Sequence, residues 1–122
     1  EAARAGRLTR NQHVLFRLGE LVAAVEGAAV FAERAAAMVD ANPFEKTPTR
    51  FDGIALSAMS RVFAREAAQK IAQEGARWVA GSADPGSPAL GMLSAIPAEA
   101  IRAAQVGLVA DMKLVADILY GR

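Results

Sequence analysis

A chain of 122 residues suits one domain with one core, and its 53% apolar content leans on Ala, which makes it helix-prone rather than greasy. Fourteen Lys and Arg against 13 Asp and Glu give a formal charge of +1, scattered without a basic stripe, which argues against nucleic acid as a partner. The absence of Cys excludes disulfides and thiolate chemistry, and no run of 18 apolar residues is present to make a membrane span.

The first predicted helix runs from about Asn11, a good N-cap, to about Asn42, ahead of Pro43 (11–42). Along it Leu15, Leu18, Val22, Val25, Ala29, Ala32, Ala36 and Val39 follow one another at steps of three and four without a miss. That spacing marks one face of an α-helix. Leu21, Ala28, Phe31 and Ala35 widen the apolar face, while Arg17, Glu20, Glu26, Glu33 and Arg34 stand on its other side. Residues 42–50 hold Pro43, Thr47, Pro48 and Thr49 and read as a short connection that folds the next helix back antiparallel.

The second helix is predicted over about 50–80, with Gly81 as its stop. Leu56, Met59, Phe63, Ala67, Ile71 and Trp78 form one stripe, and Phe51, Ile54, Ala58 and Val62 an offset one; Glu66 and Lys70 are spaced to pair. The Gly/Ser/Pro-rich stretch 81–91 contains Asp84-Pro85-Gly86, a turn signal, and 89–95 predicts a short helical segment. Pro97 opens a third helix, 97–120, carrying Ile101, Ala104, Leu108, Met112, Val115 and Leu119, with Gly121 as its stop. No strand-like alternation occurs. The expectation is an all-α, single-domain fold: an antiparallel bundle of three long helices with a short extra helical segment, open to completion by a partner into a four-helix-type packing.

Three thin rods need one apolar stripe each, and this chain has more. Phe16, Phe31, Phe44, Phe51 and Leu56 cannot all face one three-helix core, and with Trp78 they are the interface candidates. The alternative is that the short segment after Gly86 covers the extra face.

Chemistry-bearing residues are sparse. His13 is the only His, and no Glu precedes it by three residues, so a di-iron or zinc site lacks its ligands. Glu26 and Glu33 share a face but read as solvated. Ser57 and Ser60 have no His–Asp pair to activate them. Lys113 is spaced to pair with Asp117, beside Asp111. The glycines of 81–91 match no phosphate loop. No catalytic, cofactor-binding or metal-ligating residue is assigned.

Two stretches carry a family resemblance. Arg50-Phe51-Asp52-Gly53-Ile54-Ala55 leads into Ser60-Arg61-Val62-Phe63-Ala64-Arg65-Glu66-Ala67-Ala68, and Ile96-Pro97-Ala98-Glu99-Ala100-Ile101 opens a helix that closes Val115-Ala116-Asp117-Ile118-Leu119-Tyr120-Gly121. With the first helix they resemble the extra C-terminal helical domain of acyl-CoA dehydrogenase-like flavoproteins, of the very-long-chain type and its bacterial relatives. The resemblance implies a parent enzyme in fatty acid metabolism that oxidises acyl-CoA thioesters with FAD. Its catalytic Glu and its FAD and CoA contacts lie in an upstream core, so none transfers to this chain. It implies packing against that core or self-association as a dimer, with membrane-surface contact as a further role.

The start at Glu1 and the charged residues 1–10, which hold no signal-peptide core, are read as the beginning of a fragment of a cytoplasmic protein. The function expected is a non-catalytic assembly or dimerisation domain. The alternatives are a free-standing adaptor that binds a partner helix in an apolar groove, and, last, a small enzyme or ligand-binding bundle, for which no convergent polar groups can be named.

Overall fold

A computed structural model describes residues 12–40 and 51–122. The fold is an all-α helical bundle. Its elements are α1 (Gln12–Asp40), α2 (Gly53–Ser82), α3 (Pro88–Met92), a 3-10 turn (Leu93–Ala95), α4 (Ala98–Ala104) and α5 (Leu108–Tyr120). The expected N-cap Asn11 and the connection 42–50, with Phe44, lie outside the described residues.

α1 and α2 pack side by side over nearly their whole lengths, each about 45 Å at ~1.5 Å per residue. The pairing is antiparallel: His13 meets Trp78, Leu21 meets Gly75, Phe31 meets Phe63, and Met38 meets Gly53. Large side chains sit opposite glycines. The Phe63 ring lies 3.6 Å from where a Cβ on Gly27 would stand, and Leu21 lies 3.7 Å from the same position on Gly75. The tightest approach is at the end of the pair where the chain passes from α1 to α2: a Cβ on Gly53 would come within 2.9 Å of the Met38 carbonyl oxygen.

α2 starts at Asp52, whose carboxylate accepts a 2.8 Å hydrogen bond from the Ala55 N–H, a side-chain N-cap. It runs through Gly81 and ends at Ser82, so the expected glycine stop is a helix-interior residue. Asp84-Pro85-Gly86 forms the expected turn, closed by Ser87 N–H on Asp84 O at 3.0 Å with Gly86 at φ 82°. Ser87 caps α3 and Pro88 is its first residue. α3 then lays Ala89, which is fully buried, against Val14 and Val79, with Leu18, Trp78 and Leu93 around them.

The expected third long helix is two helices. Its run stops at Ala104, and Gly107 at φ 84° takes the left-handed conformation that ends a helix. Residues Pro88–Ala104 and Leu108–Tyr120 are bent by 55° relative to one another. The apolar steps of three and four continue across this break because they record side-chain type, which a glycine in between does not interrupt. α5 packs on the first half of α2 and ends as expected, with Gly121 left-handed and the Arg122 N–H donating to Asp117 O at 2.9 Å.

The contrast between two glycines tests this packing. Gly53→Ala is expected to destabilise the fold by about 1–3 kcal/mol, because its Cβ meets backbone that has nowhere to move. Gly81→Ala, with nothing within 4 Å, is expected to stabilise it by up to ~1 kcal/mol through helix propensity. Urea unfolding followed by circular dichroism reads both.

Candidate interaction surface

The heptad stripe that dominates α1 in sequence, Leu18 apart, does not form the core. The helix buries Val14, Leu21 and Ala35, and half-buries Ala24, Gly27, Ala28, Phe31 and Met38. All of those residues but Gly27 lie immediately before members of the stripe, a rotation of about 100° around the helix. The stripe itself faces outward. Leu15 is 49%, Val22 61%, Val25 48% and Val39 58% exposed; Ala29, Ala32 and Ala36 are exposed and Leu18 is half-buried. α3 and the 3-10 turn cover the end of the α1/α2 pair around Val14 and Leu18, so the short segment after Gly86 covers this face only in part.

Near its first half the stripe becomes one wall of an open groove of about 590 Å³. Leu18, Val22 and Val25 line it from α1, Ala72 and Gly75 from α2, and Ile96 from the opposite side; every lining residue is apolar. The α2 wall is built of small side chains, so a guest can approach the backbone closely. A second hollow of about 610 Å³ on the other side of Leu93 and Ile96 has polar lining from Gln69, Gln73, Arg102 and Gln105. Two of those groups are engaged: Arg102 pairs with Glu99, and the Gln105 amide donates to Arg65 O and Ile101 O.

Along the outer edge of the stripe, Glu26, Glu33 and Asp40 recur every seven residues, all exposed. Among the described residues none of the three has an ion-pair partner; the one ion pair within α1 is Arg17–Glu20, at 3.3 Å. Covering the four exposed branched stripe residues, Leu15, Val22, Val25 and Val39, would remove on the order of 300 Å² of apolar surface, roughly 8 kcal/mol gross at ~25 cal/mol per Å². Association itself costs about 4–15 kcal/mol. Burial of the stripe alone is therefore of the same size as the cost of association, and charged edges beside such a surface generally contribute specificity more than affinity.

The interface candidates are dispersed. Phe16 is 75% exposed on α1. Phe31 is half-buried against Phe63, with ring centroids 6.2 Å apart. Phe51 and Leu56 are half-buried at the start of α2. Trp78 is half-buried beside Val14 and Val79, edge-on to His13 at 5.4 Å. Phe44 lies outside the described residues. Ser60 is buried and Ser57 half-buried, and among the described residues no buried side-chain polar atom lacks a hydrogen-bond partner. No group of three or more potential metal ligands occurs among the described residues, and no single helix there is long and apolar enough to cross a membrane.

The main polar cluster escaped sequence reading. Asp111, in the first turn of α5, accepts hydrogen bonds from Arg61 (2.9 and 2.5 Å) and from Arg65 (2.5 Å) on α2. Arg65 also donates to the carbonyls of Ala104 (2.7 Å) and Val106 (3.0 Å), the groups released where α4 ends. The carboxylate is held down to about 2, chiefly by the Arg61 hydrogen bond; partial desolvation opposes this, and the Arg65 bond and both positive charges outweigh it. The same contact raises the Arg61 guanidinium further. A pairing 46 or 50 residues apart has no spacing rule to reveal it; helix-surface rules address only neighbours three or four apart.

No family model matches the chain, and neither a curated protein nor a solved structure is significantly similar to it.

Asp111 supplies a pH prediction. Its carboxyl titrates near 3.9 when unfolded and near 2 when folded, so its stabilisation is complete above about pH 4 and is lost as pH falls toward 2. Asp111→Asn is expected to lower stability at pH 7 and to flatten the loss between pH 4 and 2. Urea midpoints across that range check it; an unchanged acid slope would show the pair to be inert.

Proposed function

We propose that this chain is a non-catalytic helical assembly domain that works by receiving a helix on the outward stripe of α1. The observation that carries this reading is the stripe itself: eight apolar positions at strict heptad spacing, of which all but the half-buried Leu18 are exposed. A heptad row is the surface one helix offers another, and an exposed apolar stretch of this length marks an interaction surface. The small Ala and Gly residues of α2 beside it favour close helix approach in the groove.

The fuller form of the proposal is the C-terminal domain of an FAD-dependent acyl-CoA dehydrogenase acting in the cytoplasm. Its support is the resemblance of the stretches 50–68 and 96–121 to that domain. FAD and the chemistry on the acyl-CoA would belong to the upstream core, and no residue of this chain is assigned to either. The groove favours a second reading, a free-standing adaptor that takes up a helix from another protein.

The reading frame that encodes the chain separates the two. A frame continuing upstream into a flavin-binding core is the result expected of the dehydrogenase domain; one that opens just before Glu1 overturns it and leaves the adaptor. At the protein level, Val22→Asp with Val25→Asp is expected to leave helicity and the unfolding midpoint within about 0.5 kcal/mol of the parent chain, as for surface sites. It should abolish association with whichever partner is found, as read by light scattering of the mixture.

A further inference from the structure

The partner that fits the α1 stripe is more specific than any apolar helix. We infer that it is an α-helix with a heptad apolar seam flanked by a row of Lys or Arg, and that it is not a second copy of α1. This rests on the assembly reading above and adds the chemistry of the partner.

The argument is one of edges. A helix laid on Leu15, Leu18, Val22, Val25, Ala29, Ala32, Ala36 and Val39 has two flanks to satisfy. One is the row Val14, Leu21, Ala28 and Ala35, which is turned toward α2 and is apolar. The other is Gly19, Glu26, Glu33 and Asp40, where the three carboxylates are exposed and have no cation within ion-pair distance among the described residues. In helix pairs, flanking charges of this kind choose the partner.

A second α1 meets this surface badly in either direction. Antiparallel, the sizes match well: Leu18 falls opposite Ala36, Val22 opposite Ala32 and Val25 opposite Ala29. The acidic edges then lie side by side: Glu26 meets the other copy's Glu26, while Glu33 falls beside its Gly19 and Asp40 beside its Gln12, so no carboxylate gains a cation. Parallel, the two Leu ends coincide and so do the two Ala ends, which leaves the layers uneven, and each acidic edge meets the other copy's apolar flank. A basic edge on the incoming helix satisfies the carboxylates and still fills the groove. Steering by opposite charge also speeds docking at low salt.

The test uses two synthetic helical peptides of 28 residues (a length set by the stripe), fluorescein-labelled, with the same Leu/Ala seam. One carries Lys at both flanking positions of every heptad, the other Glu. Fluorescence anisotropy with the purified chain at low salt is expected to show the Lys-edged peptide binding at least about ten-fold tighter, with the preference shrinking at high salt. Glu26→Lys with Glu33→Lys, at exposed positions and with its circular dichroism checked, is expected to reverse the preference. Equal affinity for the two peptides overturns the inference. So does a stable dimer by light scattering whose stripe is closed to both, which leaves the assembly reading standing. A monomeric chain that binds neither peptide overturns both.

Discussion

The close antiparallel contact between α1 and α2 is the constraint on which the rest of the structure depends. It is made by glycines facing large side chains: Gly27 against Phe63, Gly75 against Leu21, and Gly53 beneath the Met38 carbonyl. Two helices with an Ala-rich interface can approach closely, but they bury little per residue. Among the described residues no large side chain is completely buried, and the buried apolar residues are mostly Ala, with Val14, Leu21 and Val79. A core this thin uses one row of α1 and has no second layer to receive another. The heptad stripe is left outside for that reason.

α2 is the axis of the molecule. α1 lies along it, α3 closes one end, and α5 lies on its first half. The last connection is polar rather than apolar. Arg65 binds two carbonyls freed by the break between α4 and α5 and also the Asp111 carboxylate that opens α5. Gly107 permits the break and Arg65 stabilises it. With Arg61 on the same carboxylate, the pair fixes where α5 docks, in a region where Val106 and Val109 remain exposed.

This distribution bears directly on function. Among the described residues the ion pair of Arg61 and Arg65 with Asp111 joins two helices, and the carboxylates of Glu26, Glu33 and Asp40 sit on a regular edge beside an apolar seam. Catalysis requires groups that converge on a reacting atom; here the convergence is of apolar side chains around a groove and of carboxylates along one line. The proposed assembly role rests on that apolar seam and its acidic edge.

Much of the fold was legible in the residues. Helix type followed from apolar steps of three and four, the Asp84-Pro85-Gly86 turn from its dihedral preferences, and the end at Gly121 from capping chemistry, because each is a local property of a few neighbouring residues. The solvated Glu26 and Glu33 were equally plain. The break at Gly107 was missed, since a periodic stripe continues through a glycine that either bends or does not. The Arg61, Arg65 and Asp111 cluster was missed because its members are distant in the chain. Above all, α1 carries two apolar rows one residue apart, and both are fit to be buried. The sequence by itself determined that both exist. Only the tertiary structure decided which faces inward: the row with Leu21, Phe31 and Met38 fits the glycines and Phe63 of α2, and a helix turned toward one neighbour must turn its adjacent row away.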